Sequence, residues 1–415
     1  MEVVRDVIIM KIIVVGGGCS GVVAAISAKN SNNEVIILER NNTLLKKILL
    51  TGNGRCNYFN ELYNSEFYHS ENSDLIDNFI SDRNISLAKD FFDRLGVVPK
   101  IKNGYYYPYS NQAINIKELL EYEVKRLGIK VIYDTYVSDI KRDESFFSIT
   151  TNNKKYTCDK VILSTGSMAY PKTGSDGFGY SILERLRHTI VKPVPALVQL
   201  ESNFRYLKEW DGVRSDAYVE LFEDDKYISS EEGEIQLTKY GVSGICIFNL
   251  SHFVSRGLLD NKKYMIKINF VPFIETLITP WLDNYYKKNS SKNLYEMLEG
   301  FLNKKIVSII LKVCKLDQNK KYSDLNNQEK LLLCKNLRSF RVEITGTKGF
   351  NNSQVCNGGA RLDEVNLDTM ESKIVRGLYI TGELLDITGN CGGYNLTECW
   401  ISGILSGKSI GDNSD

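Results

Sequence analysis

The chain has 415 residues, 43% of them hydrophobic and 25% charged, and a formal net charge of +1. This composition suits a globular protein of two or three domains and excludes a disordered acid or a chain that binds polyanions over its whole surface. No apolar run reaches the roughly 18 residues of a membrane span, and nine cysteines without a C-x-x-C pair read as reduced thiols in a cytoplasm, not as a disulfide frame or a zinc site.

At the start, "MEVVRDVIIMKIIVVGGG" is apolar but interrupted by Glu2 and Asp6. No small-residue cleavage site follows, so no signal peptide is expected, and Met10 is a candidate start. "KIIVV" (11–15) predicts a buried parallel strand. Gly16, Gly18 and Gly21 follow at G-x-G-x-x-G spacing, then an apolar helix, then a second strand, "EVIILE", ending at Glu39. In such a unit the first glycine permits the tight turn, the second admits a pyrophosphate, and the third lets helix and strand close up. The helix N-terminus offers free N–H groups to phosphates. An acid at 39 suits a ribose diol and disfavours a 2′-phosphate, so FAD or NAD is expected over NADP.

Further along, "LLKKILLTGNGRCNYFN" (44–60) carries Lys47 and then Gly54, Arg55, Cys56 and Asn57, where glycines let the chain pass near a ligand. Arg55 reads equally as a phosphate or substrate contact and as a solvated turn residue. "NGYYYPYSNQA" (103–113) is a tyrosine-rich loop that could wall a flat pocket. Strands are predicted around Val137 and up to Thr165–Gly166, a second backbone approach to the cofactor. The G-x-x-G-x-G of 174–179 has the wrong spacing for a second dinucleotide fingerprint.

At "KPVPALVQL" the texture changes, marking a crossover into another domain. Residues 196–275 alternate as short strands, and 279–338 look helical and lysine-rich. From Arg256 to Arg341 there are 17 Lys/Arg against 8 Asp/Glu. That excess reads as a solvated helical face or as a surface for a polyanion. His69, His188 and His252 are far apart, which disfavours a histidine metal site or a Ser-His-Asp triad.

The C-terminal stretch returns to strand–loop–helix order. "GLYITGELLDITG" runs into Gly382–Glu383, and "GGYNLTECWISGILSGKSI" forms a closing helix, with Gly403 and Gly407 one turn apart for close packing. The first N–H groups of that helix, at Tyr394, Asn395 and Leu396, would stabilise negative charge on a reduced flavin.

Together, "VVGGGCSG", "TGNGRCN", "YPYSNQA", "STGSMAYPKTGSDGFGY", "GVSG" and the block from "CNGGARLDEVNLD" to "GNCGGYNL" resemble the BaiN/YhiN-type flavoproteins over about residues 11–407. The resemblance implies an α/β fold: a Rossmann-like FAD-binding domain with an inserted β-barrel-like domain and a small helical domain. The expected boundaries are 1–191 and 346–415 for the FAD domain, 192–276 with 339–345 for the barrel-like insert, and 277–338 for the helices. The residues expected around FAD are Gly16, Gly18, Cys19, Ser20, Gly21, Glu39, Arg40, Lys47, Gly54, Arg55, Cys56, Asn57, Val137, Thr165, Gly166, Gly382, Glu383, Asp386, Gly393, Tyr394, Asn395 and Leu396. Three departures stand out. Lys239 sits where the family pattern has a histidine and Ile245 where it has a proline, which argues against histidine-dependent chemistry on the insert; Gly166–Ser167 also replaces a usual Gly–Gly, and FAD binding is expected to remain.

The family includes reductases of steroid-like enones, ribosomal RNA dihydrouridine synthases and aminoacetone-oxidase-like members. The expected function is therefore an FAD-dependent oxidoreductase, fed by NADPH or NADH, that reduces an electron-poor C=C bond in an RNA uridine or a small enone. Cys391, Tyr394 and Tyr109 are the candidate proton donors. An amine oxidase and a non-catalytic flavin sensor are the alternatives. No metal is expected.

Overall fold

The computed structural model describes residues 10–412; the reading of residues 1–9 lies outside the described residues. The described residues divide into two compact units, one of residues 10–194 and 354–412 and the other of residues 195–353.

The first unit is built on a five-stranded parallel sheet. Its strands stand in the order Leu378–Ile380, Lys160–Leu163, Met10–Val15, Asn33–Leu38, Lys130–Ile132. Strands buried on both faces should read as continuous apolar runs, and Ile12, Ile13, Val14 and Ile37 are indeed fully buried. The first strand lies at the centre, so the turn that leaves its C-terminal end sits where the strand order reverses, the place where ligands bind in open α/β sheets.

The fingerprint helix, Cys19–Ala28, packs against the closing helix, Tyr394–Asp412. The two backbones come very close. A Cβ on Gly403 would stand 2.5 Å from Ser20 O, and one on Gly407 2.4 Å from Ala24 O. These glycines let the last helix of the chain lie directly on the first. A three-stranded antiparallel sheet (Val137–Arg142, Phe147–Thr151, Lys155–Cys158) and a small sheet of Phe59–Asn60, Tyr105–Pro108 and Pro99–Lys102 complete this unit.

The second unit holds a seven-stranded sheet whose longest strands, Val213–Glu223 and Lys226–Thr238, pair as a hairpin. Helices Ile278–Lys288, Leu294–Glu299, Lys304–Cys314 and Asn327–Arg338 share one continuous buried core with that sheet. Three of them start on an asparagine cap: Asn293, Asn303 and Asn326 each accept a backbone N–H of the first turn. Such caps satisfy donors the helix itself cannot. Several lysines of this unit are engaged: Lys312 with Glu209, Lys330 with Asp283, Lys320 with Glu329, and Lys305 with the Asp211 carbonyl.

Among the described residues no helix is long and apolar enough to cross a membrane, and no group of His, Cys, Asp and Glu could hold a metal ion.

Candidate active site

The turn after the first strand has three glycines with three different surroundings. Gly16 has φ +106°, and a Cβ there would stand 2.4 Å from Ser164 O; a Cβ on Gly21 would stand 2.0 Å from Gly16 O. The protein's own backbone forces glycine at both. At Gly18 a Cβ would meet nothing within 4 Å. That open face, beside a helix N-terminus with no side-chain cap, is the space a pyrophosphate requires.

Glu39 is buried beside this turn. Its Oε2 accepts Gly17 N–H at 2.7 Å, and its Oε1 accepts the backbone and side-chain N–H groups of Asn41 at 2.8 and 2.7 Å. The carboxylate is thus held rigidly by the glycine turn, with one lone pair, on Oε2, left for a ribose hydroxyl. Arg40 is turned elsewhere: it pairs with Asp176 at 2.5 Å, and its guanidinium lies 5.0 Å from the centre of the Tyr136 ring. Val137 begins the first strand of the antiparallel sheet and is buried.

Lys47 Nζ lies 2.7 Å from both oxygens of Glu383, and Ser167 Oγ donates to Glu383 Oε2 at 2.6 Å. Gly382 must be glycine, because a Cβ would stand 2.4 Å from Ser20 Oγ at the start of the fingerprint helix. Burial pushes the Cys19 thiol well above its ordinary range and the Cys56 thiol up to about 12. Neither is therefore a thiolate nucleophile at neutral pH. Asp386 accepts Ser70 Oγ and Glu71 N–H, tying the closing segment to the 70–71 turn.

Two buried polar atoms in these segments have no hydrogen-bond partner, Thr165 Oγ1 and Asn57 Oδ1. Both are enclosed by protein, the Thr165 hydroxyl against Gly179 and the Asn57 amide oxygen against Gly393. The open Gly18 face and the capless helix fit FAD.

The loop before the closing helix is clamped by Asn395, whose amide exchanges hydrogen bonds with Gly389 N and O at 2.8 Å. Gly393 has φ +95°, and its Cβ would stand 2.9 Å from Phe59 O, so its glycine is fixed by the protein's own chain. Gly392 turns against the tyrosine hairpin: a Cβ there would lie 2.9 Å from the Tyr105 ring, and Asn60 Nδ2 donates to Gly392 O at 2.9 Å. The N–H groups of Tyr394, Asn395 and Leu396 open the helix without acceptors inside it.

Of the three proton-donor candidates, the structure brings Cys391 and Tyr394 together on this loop, with Cys391 half-buried. The Tyr394 ring stacks on Phe67 at 5.0 Å, and burial pushes its phenol up to about 12. Tyr109, at 70% exposure, stands in solvent beyond the hairpin. Gly54 and Arg55 occupy an exposed turn.

Two groups here escaped the sequence. His69 Nε2 meets Asn390 Oδ1 at 2.9 Å, and burial lowers its pKa; the pairing of His69 with Thr388 brings it there. Glu398, in the closing helix, is 2% exposed and its Oε1 has no partner.

A family model described as "HI0933-like protein Rossmann domain" matches residues 10–409. The chain is 37% identical over 368 residues to a 3-dehydro-bile acid delta(4,6)-reductase of Clostridium scindens, covering 88% of this chain and 90% of that protein. It is 25% identical over 362 residues to a ribosomal RNA dihydrouridine synthase of Escherichia coli K12, covering 86% and 87%. Among solved structures, a 3-ketosteroid-delta4-(5alpha)-dehydrogenase from Rhodococcus jostii RHA1 in complex with 4-androstene-3,17-dione is similar in fold. The TM-score is 0.50 at 14% identity, over 97% of both chains. The open conformation of a flavocytochrome c3 fumarate reductase reaches 0.51 at 11% identity, over 98% of this chain and 78% of that one.

Proposed function

The chain belongs to the HI0933-like Rossmann-domain family, and from that premise we propose that this FAD-dependent oxidoreductase reduces an electron-poor C=C bond in a small, steroid-like enone. One observation carries the substrate class: 37% identity, over nearly nine-tenths of both chains, to a protein named as a bile acid delta(4,6)-reductase.

FAD supplies the two-electron redox chemistry when bound, and the protein positions and polarises it. Gly18 would leave the pyrophosphate its space, and Glu39, locked by Gly17 and Asn41, would offer its one remaining lone pair to a ribose hydroxyl. The first N–H groups of the closing helix sit where a preorganised dipole stabilises developing negative charge. Asn395 holds that helix start in place through Gly389.

An enone reduction also needs a proton for the α-carbon. Tyr394 keeps its proton on Oη at neutral pH, and Cys391 stands on the same loop. These two are the proposed donors. With a single dinucleotide fingerprint in the sequence, NADPH or NADH acts as a transient donor without a Rossmann domain of its own.

Ribosomal RNA is the second reading, since two relatives at 25% identity are named dihydrouridine synthases. Lys312 and Lys320, paired with Glu209 and Glu329, are the lysines that would release fewer counterions on meeting a phosphate.

The deciding experiment is anaerobic stopped-flow. The flavin is reduced with NADPH or NADH, then mixed in turn with a 3-keto-4-ene steroid, a uridine-rich RNA and air. Rapid reoxidation by the steroid, with the saturated ketone as product, is expected. Reoxidation by RNA alone overturns the reading, and so does a flavin reduced by an amine and reoxidised by oxygen but not by the steroid.

A further inference from the structure

The tyrosine hairpin has two chemically different faces. Its register sets Lys102 opposite Tyr105 and Lys100 opposite Tyr107, and directly opposed residues share a face. Asn60, opposite Tyr105, belongs to the same face. Phe59, Tyr106 and Ile101 take the other, where the Phe59 and Tyr106 rings pack 5.6 Å apart and Lys89 covers both.

The Tyr105–Tyr107 face looks onto the active-site loop. Asn60 bonds the Gly392 carbonyl, and the Gly392 Cα sits against the Tyr105 ring. The Gly52–Arg55 turn closes on the same face: a Cβ on Gly52 would lie 3.7 Å from Tyr107 Cε1, and Arg55 N–H donates to Gly52 O.

The charges are segregated as well. Glu61 and Asp93 act on Tyr106, on the far face. The groups that act on Tyr107 are Tyr105, Arg55 and Cys391. Arg55, Lys100 and Lys102 are exposed, and among the described residues none of them is in an ion pair. Three unneutralised cations thus flank two half-exposed phenol rings beside the loop that carries Cys391 and Tyr394.

We propose that this face is an anion subsite of the active site. The flat apolar body of the substrate lies on Tyr105 and Tyr107, and Arg55 with Lys100 and Lys102 holds a carboxylate at one end of it. The assignment rests on the enone-reductase reading for the identity of that body. Arginine matches a carboxylate with two parallel hydrogen bonds. Lys100 and Lys102 stand roughly 7 Å apart along one strand, close enough for both long side chains to reach one anionic group. A nucleic acid strand asks instead for a track of cations along several nucleotides.

The test uses the FAD-loaded full chain, with two readouts. Calorimetry compares binding of a 3-keto-4-ene steroid carrying a side-chain carboxylate with binding of its methyl ester. Turnover measures kcat/KM for the same pair. The wild type is expected to favour the acid by about tenfold, the worth of one charge-assisted pair. Arg55→Gln should erase most of that preference and Arg55→Lys should restore part of it. Lys100→Gln with Lys102→Gln, two exposed positions outside the core, should reduce it severalfold with FAD content intact. Equal binding of acid and ester by the wild type overturns the subsite, and so does a preference that survives all these variants. Selective binding of the acid, lost in the variants but without turnover, upholds the subsite and defeats the enone reading. If the same variants instead lose binding of a uridine-rich RNA and leave acid binding unchanged, the subsite belongs to phosphate and the proposal fails.

Discussion

Lys47 Nζ sits 2.7 Å from each carboxylate oxygen of Glu383, joining residues 336 positions apart in sequence. The pair is largely shielded, with 24% and 18% of the side chains exposed, and Ser167 completes the carboxylate's bonding. It ties the N-terminal half of the cofactor unit to its C-terminal segment.

Removing one partner should therefore cost more than removing both. Lys47→Met leaves Glu383 with Ser167 alone, an underpaired and mostly buried charge, at a cost on the order of 2 kcal/mol. Adding Glu383→Gln should recover part of that loss. Denaturant unfolding of the FAD-free protein, run as a double-mutant cycle, measures the coupling. Additive losses would show that the two groups do not act as a pair.

The three glycines of the fingerprint should separate folding from binding. Gly18→Val places its side chain in open space, so the FAD-free protein should melt within a few degrees of the wild type yet copurify without flavin. Gly21→Ala drives a methyl into Gly16 O, at 2.0 Å, and should destabilise the apoprotein itself by several kcal/mol. Thermal melts together with absorbance at the flavin band distinguish the two. A yellow Gly18→Val protein would move the pyrophosphate away from this turn.

What the sequence made legible was the local grammar. Gly16, Gly18, Gly21 and Glu39 lie within one strand–turn–helix–strand unit, so spacing alone carries their geometry. Gly403 and Gly407 were readable for the same reason, one turn apart on one helix. Non-local pairings were not readable. Arg40 goes to Asp176 because the 174–176 loop folds back over it, and no periodicity encodes that. The Tyr105–Lys102 and Tyr107–Lys100 pairs depend on hairpin register, so a tyrosine cluster read from sequence gave rings without a face. Tyr109 shared that cluster and ended in solvent. Glu398 carried no signal in the sequence, because the groups that surround it include Tyr68 and Glu383, brought in from other segments.

Glu398 gives the last prediction. It is 2% exposed, and its Oε1 has no partner. A charged carboxylate in that setting is costly, and burial, with Glu383 adding repulsion, raises its pKa from 4.5 to about 8. Cys399, Ser402 and Tyr68 are the other groups around it. The folded pKa lies above the unfolded one, so the folded chain holds an extra proton between them. The stabilisation is complete below about pH 4.5 and is lost as pH rises through about 8. Glu398→Gln keeps the shape and removes the titration. Relative to the wild type it should gain stability between pH 5 and 8.5, by roughly 4 kcal/mol at most. Measuring both proteins at each pH cancels the opposite trend from His69 and His188, whose pKa values burial lowers. Urea midpoints at the two pH values decide the matter. A stability difference between variant and wild type that does not change with pH would mean that Glu398 is already ionised in the folded protein, and that a cation or a donor reaches its Oε1.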